Sequence, residues 1–514
     1  MVRLVVAWFV FLSLSWVARS ARADDLDAIR ARGTLIWGAD QEGGGPYVYP
    51  RDDDPNVVTG FEVELASAIA RELGVRAQFF QGNWDKLPDL LRTREIDVVM
   101  NGYELSAERA AVMEASKPYY VYGLQLLVRD GDSLDWASLA KKKDPKRKIG
   151  VLVGSAADTL STNELGDAVE VVRYEGNTDC MREVETKKLD ATLQDTPIVA
   201  FYSPRFPALQ AVGAPMAEGH YVLYGRKGET RLIAAIDEAL AHLHERGELE
   251  TLYRKYGLWN DQQKALDGLL GVKSRSAPDA PHAEEPPPIR AAPRKRGLAI
   301  LTEYGGVLLQ SAGMTVLLSV LSFPLAIFLG LLVALGRMYG PRWLKPILAA
   351  YVELLRGTPL MLQLYFIFFF LPEVGLRPSA MLTAVLGLAI NYSAYESEIY
   401  RAGLSAVPEG QVEAALSLGL SRWQALRFVV LPQATRVVIP PVVNDFVALF
   451  KDTSVCSVIT IVELTKRYSV LSMSTQATIE LMILTAILYL AMSLPLSIAS
   501  RRLEARLDPK RAQS

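Results

Sequence analysis

The rhythm of apolar and polar positions changes twice along the 514 residues. From Thr34 to Tyr256, short apolar runs alternate with amphipathic stretches. Thr34–Ala39 predicts a strand. Phe61, Leu65, Ile69 and Leu73 recur four apart, which places them on one helical face, and Gly74 stops that helix. A strand over 77–80, a helix over 87–94 and a buried strand over 96–100 complete one set. A second set repeats the logic: a strand over 148–153, a helix from Ser155, a strand over 169–174, a helix over 178–188 and a strand over 190–194. Alternation at these lengths implies parallel α/β sheets, and two sets imply two lobes. The helical stretch 230–256 is expected to pack back on the first lobe.

Beyond Ser311 the pattern is that of a chain in lipid. Residues 311–336 carry no charge and are long enough to span a bilayer. Further apolar stretches near 346–372, 378–395, 437–450 and 477–499 bring the expectation to about five spans, the fourth interrupted by Pro440 and Pro441. With residue 300 outside, the loop holding Arg337, Arg342 and Lys345, the segment 401–436, and the tail with Arg501, Arg502, Arg506 and Lys510 all fall inside, as the positive-inside rule requires. Arg290, Arg294, Lys295 and Arg296 oppose that rule on the outer side. Exported domains, however, translocate largely regardless of flanking charge. Glu353, Arg356, Glu396, Asp445 and Lys451 are expected mostly near span ends, with Asn444-Asp445 alone well inside one.

The first residues predict a targeting segment. Arg3 precedes the apolar run 4–16, and Ala21-Arg22-Ala23 offers small residues to a signal peptidase. The expected organisation is a signal peptide at 1–23 and a binding domain at 24–260. Within that domain, lobe one covers about 24–120 and 215–260, and lobe two about 121–214. A linker rich in Pro and Ala follows at 261–298, then a membrane domain at 299–504 and a cytoplasmic tail at 505–514. The prolines at 278, 281 and 286–288 favour extended chain in the linker. A net charge of -2 argues against a nucleic-acid surface, which needs clustered Lys and Arg. Cys180 and Cys456 fall in different compartments and have no His or Cys at metal-ligand spacing, so neither a disulfide nor a metal site is expected.

Ligands of open α/β sheets bind beyond the carboxyl ends of the strands. That rule selects Asp40, Gly102, Glu104, Ser155 and Asp195, together with Arg109 one turn into a helix that Ser106 is placed to cap. A guanidinium fork for a carboxylate and an acid for an ammonium suit a zwitterion. An Asp after a strand is more often a helix cap or a solvated loop residue.

Several motifs carry a resemblance. Gly60-Phe-Glu-Val-Glu-Leu-Ala, Trp84-Asp-Lys-Leu, Ile96-Asp-Val-Val and Glu108-Arg109 through Lys117-Pro-Tyr-Tyr resemble the family 3 solute-binding proteins of polar amino-acid importers, in order over 34–258. The resemblance implies the type II periplasmic-binding fold. It also implies that Arg109 clamps an α-carboxylate, Asp195 takes an α-ammonium, Gly102 and Ser155 donate further contacts, and Trp84 covers the ligand. Two departures stand out: Glu104 replaces a hydroxyl residue, and Gly43-Gly44-Gly45 replaces an aromatic. Asp40 and Glu104 then have no visible basic partner, and the glycines leave room for a long side chain. Arginine, lysine, histidine or glutamine is therefore expected ahead of acidic or apolar ligands.

In the membrane domain, Glu413-Ala414-Ala415, Gly419 and Leu431-Pro432 suit a docking element. A small-residue helix face permits close approach, Gly419 permits a sharp turn and Pro432 opens the next helix. With residues 351–359 and Lys451-Asp-Thr-Ser454, they resemble the histidine/glutamine-type permeases of ABC importers over 304–504, an all-α transmembrane domain. In that family this loop inserts into the ATPase. No G-x-x-x-x-G-K-[ST] phosphate loop occurs in the chain, so ATP and Mg are expected on a separate ABC ATPase subunit, with no cofactor bound here and no enzymatic activity of its own. The expected protein is a multi-pass subunit of the bacterial cytoplasmic (inner) membrane. Its binding domain faces the periplasm and its C-terminus the cytoplasm, and it pairs as a homodimer or heterodimer of permease chains. The competing readings are a ligand-gated channel or sensor, and a dehydratase using Glu104 as general acid.

Overall fold

The computed structural model describes residues 25–275, Ile289 and 297–507. The expected signal peptide, most of the linker and the end of the tail lie outside them. The first set of elements comprises β1 (Thr34–Ala39), helix α1 (Phe61–Glu72), β2 (Arg76–Gln81), β3 (Val98–Val99), helix α2 (Ala107–Val112) and β4 (Met113–Ala115). The second comprises β5 (Tyr120–Arg129), β6 (Arg147–Leu152), helix α3 (Ala156–Leu160), β7 (Val169–Tyr174), helix α4 (Asn177–Glu185), β8 (Ala191–Asp195) and β9 (Leu209–Tyr221). Strand β10 (Tyr224–Arg226) returns to the first sheet, whose order is β2-β1-β3-β10-β4; the second sheet runs β9-β5-β8-β6-β7.

Neither sheet is wholly parallel, which corrects the expectation. β1 lies parallel to β2 and β3, but β10 runs antiparallel to β3 and β4. β6 lies parallel to β7 and β8, while β5 runs antiparallel to β8 and β9. The antiparallel members are strands that carry the chain between lobes. β5 shows little alternation because its residues face protein on both sides, as the run of buried positions from Tyr120 to Val128 records; β9 is largely exposed or half-buried until Tyr221. The helices Thr230–Glu245 and Glu248–Lys255 pack Leu232, Ile236, Leu240, Leu243 and Leu249 into the same core as Phe61, Leu65 and Ile69.

The expected linker begins too early. Residues 261–270 fold back on the binding domain as two short helical turns, Asp261–Ala265 and Leu266–Leu270. Leu266 and Leu270 are buried in its core, and the Gln263 side chain bonds both the N–H and the C=O of Val121. Ten residues with only two core leucines hold too few periods for a pattern to be read.

The membrane domain is helical: α5 (Leu298–Tyr339), α6 (Leu344–Gly357), α7 (Ala380–Ser405), α8 (Glu409–Ser417), α9 (Leu431–Asp452), α10 (Leu464–Thr475) and α11 (Thr478–Leu507). Among the described residues three helical stretches are long and apolar enough to cross a membrane: 299–339, 422–459 and 478–503. A fourth forms if α6 and Leu360–Val374, bent by 111°, count as one broken span. Helix α7 has the length of a fifth, but Asn391, Glu396 and Glu398 dilute its apolar face. Glu396 is fully buried in mid-helix and not at a span end, so helix-end pairing does not describe it. Pro432 lies in the first turn of α9, as expected of a residue that opens a helix. A π-type turn at Leu426–Val430 precedes α9 and joins it to the preceding turn, so that the helical stretch runs over 422–459.

Candidate functional site

The strand ends meet between the lobes. Asp40, Tyr47, Trp84, Asn101, Gly102 and Glu104 from lobe one line a cavity with Ser155, Glu175, Asn177, Gln194 and Asp195 from lobe two. Ser106 caps α2 by accepting from the Arg109 N–H at 3.2 Å; Arg109 itself is not among the residues that line the cavity and lies behind Glu104 and Trp84, which do. Its guanidinium lies 5.1 Å from the Trp84 ring centroid and 5.0 Å from that of Tyr103. It pairs with the Glu104 carboxylate and donates to the Gly154 carbonyl of lobe two at 3.1 Å. Burial alone would lower the Arg109 pKa, but Glu104 outweighs it and holds it above the ordinary arginine value.

Glu104 does not lack a basic partner. One oxygen pairs with Arg109, and the other accepts from the Ala156 N–H at 3.0 Å, at the start of α3. A guanidinium fork and a helix N-terminus are the two donors an amino-acid carboxylate requires. Asp40 is likewise engaged. It caps the turn Gln41–Gly43 through the Glu42 N–H, and it accepts from the Gln81 amide at 2.8 Å and from the Trp84 N–H at 3.0 Å. The ammonium of Lys466, from the membrane domain, lies 3.9 Å away. The charge shortage expected of these two acids is therefore absent.

Other selected residues hold the walls. The Gly102 N–H points at the buried Glu62 carboxylate at 2.8 Å, so it does not donate into the cleft. Ser155 caps α3, accepting from the Asp158 N–H and donating to the Leu152 carbonyl. The Trp84 indole donates to the Asn101 carbonyl at 3.0 Å, and its ring lies over Tyr103. Asp195 accepts from the Tyr221 hydroxyl, which in turn contacts the Tyr47 hydroxyl at 2.7 Å. Burial and then the negative charge of Glu104 push the Asp195 carboxyl up to about 7.

Gly43 lines the cavity with only ordinary contacts around it, but Gly44 and Gly45 do not leave room for a ligand side chain. A Cβ on Gly44 would meet the Tyr202 hydroxyl at 2.3 Å, and one on Gly45 would meet the Phe201 ring at 2.1 Å. The space belongs to lobe two, whose helix Thr196–Tyr202 presses on this loop. Tyr47, two residues after the triplet, lines the cavity and packs against Tyr221. Tyr47, Tyr221, Tyr103 and Glu175 were not selected from the sequence. Tyr221 is beyond such a selection because it ends a long antiparallel strand and not a parallel one.

At the other end of the chain, Glu413 and Ala414 are exposed on α8, while Ala415 is buried. Gly419 has φ +82 and continues the stop of α8: the Leu420 N–H reaches the Ala415 carbonyl and the Gly419 N–H that of Leu416. Leu416, Leu418 and Trp423 are exposed beside them, Leu418 by 84%. Leu431 and Pro432 are also exposed, on the following helical stretch.

Comparison with known proteins agrees with this two-part construction. Residues 36–258 match the bacterial extracellular solute-binding proteins, family 3, and residues 326–509 match the binding-protein-dependent transport system inner membrane component. The probable glutamine ABC transporter permease protein GlnP of Bacillus subtilis is 39% identical over 195 residues, 37% of this chain and 89% of that protein. The Escherichia coli glutamine transport system permease protein GlnP is 36% identical over 203 residues (39% and 93%), and the B. subtilis L-cystine permease TcyB is 38% identical over 195 residues (38% and 83%). Among solved structures, the ancestral amino acid-binding protein AncCDT-1 is 28% identical, covering 45% of this chain and 98% of that one at a TM-score of 0.41. The chain belongs to the family of ABC importer permeases. It joins the solute-binding and permease domains of an amino-acid ABC transporter, an arrangement that favours transport over the channel and dehydratase readings.

Proposed function

We propose that the binding domain receives a polar amino acid with an amide or basic side chain on the periplasmic side of the cytoplasmic membrane and hands it to the permease domain of the same chain. The observation that carries this reading is that Glu104 and Asp195 line one cavity, with Arg109 and the Ala156 N–H bonded to the Glu104 carboxylate. Those two donors suit an α-carboxylate and Asp195 an α-ammonium. An incoming carboxylate takes over donors that Glu104 holds, so Glu104 must turn toward the ligand side chain or away from it. Asp40, Glu104, Glu175 and Asp195 line one cavity, which disfavours a second carboxylate on the ligand. Glutamine leads the candidates because permease relatives are named for it.

The exposed surface of Glu413, Ala414, Leu416, Leu418 and Trp423 suits a separate ATPase, to which ATP and Mg belong. Two permease chains would enclose the pathway, with the C-terminus cytoplasmic and no cofactor on this chain. Calorimetry on the full-length chain in lipid nanodiscs tests the ligand class. Glutamine, arginine, lysine or histidine should bind ahead of glutamate, aspartate and leucine; tighter binding of either acidic amino acid would reject the class.

A further inference from the structure

Between the last two apolar helices, the membrane domain sends α10 and the residues after it up against the binding domain. Lys466 lies on this segment with only 5% of its surface exposed. Its ammonium is 2.8 Å from the Glu42 carboxylate, 2.8 Å from the Asn83 side-chain oxygen and 3.9 Å from Asp40. A lysine is seldom buried unless paired, and both acids that pair with it belong to another domain. Burial would lower the Lys466 pKa; Asp40 and Glu42 overcome that and raise it. Glu42, for its part, is pushed up by burial and by Asp40 and drawn down by Lys466.

The recess is the reverse side of the substrate cleft. Asp40 accepts from Trp84, Asn83 precedes Trp84, and both Asp40 and Trp84 line the cavity. One residue on, the Arg467 guanidinium donates to the Pro55 carbonyl of lobe one at 3.3 Å. The other end of the same segment holds lobe two. The Ser474 carbonyl accepts from Arg205, Thr478 accepts from Arg182 at 2.7 Å, and the Met473 thioether packs so closely on Gly176 that a Cβ there would lie 2.3 Å from the sulfur. A segment about eighteen Å long, at 1.5 Å per helical residue, thus touches both lobes on either side of the cleft mouth.

We propose that Lys466 is a docking pin. Its ammonium enters the Asp40–Glu42 recess of lobe one while residues 473–478 hold lobe two, so the permease segment engages the binding domain only when the lobes stand in their closed relation. Lys466 acts through Asp40 and Glu42 and not on the substrate, which makes it a positioning residue. This goes beyond the assignment of the chain as an importer, because it names the contact by which lobe closure is read.

A charge exchange tests it on the full-length chain, reconstituted with its ATPase subunit, using the tightest binder of the amino-acid panel as probe. Lys466→Glu and Glu42→Lys should each cut uptake and substrate-stimulated ATP hydrolysis tenfold or more, with the substrate Kd within twofold of the parent. The double exchange should return uptake to within threefold of the parent, and Lys466→Arg should retain it. Where Lys466→Glu does not assemble, Lys466→Gln decides, since it keeps the size without the charge and should lose uptake. Parental uptake by Lys466→Gln, a double exchange no better than the singles, or a tenfold change in Kd would each overturn the proposal.

Discussion

The Arg109 guanidinium of lobe one donates to the backbone carbonyl of Gly154 in lobe two at 3.1 Å. One side chain therefore bridges the two lobes while its charge is paired with Glu104, which lines the cleft. Removing it loses a charge-assisted contact worth roughly 1.5–3 kcal/mol and leaves Glu104 without its partner. Arg109→Ala should weaken amino-acid binding at least about tenfold, measured by calorimetry on a chain whose circular dichroism is unchanged. Unaltered affinity would remove Arg109 from the site.

Affinity should depend on pH through Asp195. Its carboxyl is raised to about 7, chiefly by burial and then by Glu104, and a ligand ammonium requires it ionised. Below pH 7 that ammonium must displace a proton, so affinity should fall by up to roughly tenfold per pH unit, and above pH 7 it should level off. Glu104→Gln removes the neighbouring negative charge and should move the midpoint to lower pH. A flat profile between pH 5.5 and 7.5 would count against Asp195 as the ammonium partner.

The boundary of the binding domain has a measurable consequence. Leu266 and Leu270 are buried in its core, and Gln263 bonds Val121. Burying two leucines contributes on the order of 3–6 kcal/mol. A binding domain cut after residue 260 should therefore melt on the order of ten degrees below one cut after residue 275. Equal melting temperatures would show that 261–275 add nothing to the fold.

Coupling should be separable from binding. Gly419 sits at φ +82, which proline, locked near −65°, cannot adopt. Gly419→Pro should reorient α8 against the next helical stretch, and Glu413→Lys should reverse the charge of an exposed position beside it. Both variants should keep the parental substrate Kd yet lose tenfold or more of ATP-driven uptake in proteoliposomes. Normal uptake would show that this surface does not meet the ATPase.

Much was legible in the sequence because its signals are local. Helical periodicity at Phe61, Leu65 and Ile69, a cap at Ser106, a turn at Gly419 and apolar length after Ser311 each depend on residues within a few turns of one another. They determined the two-lobed α/β class, the helical membrane domain and the strand ends from which Asp40, Glu104, Arg109 and Asp195 project. Tertiary structure alone decided which of those ends face one another and with what partners. Glu104 meets Arg109 and the N-terminus of α3, Tyr221 arrives on an antiparallel strand beneath Asp195, and Phe201 and Tyr202 fill the space beside Gly44 and Gly45. Lys466 reaches Asp40 across 426 positions of sequence. A charge has no periodicity to announce its partner, because Coulomb attraction depends on distance in space. The pairing of buried charges was therefore settled only when the chain folded and its two domains docked.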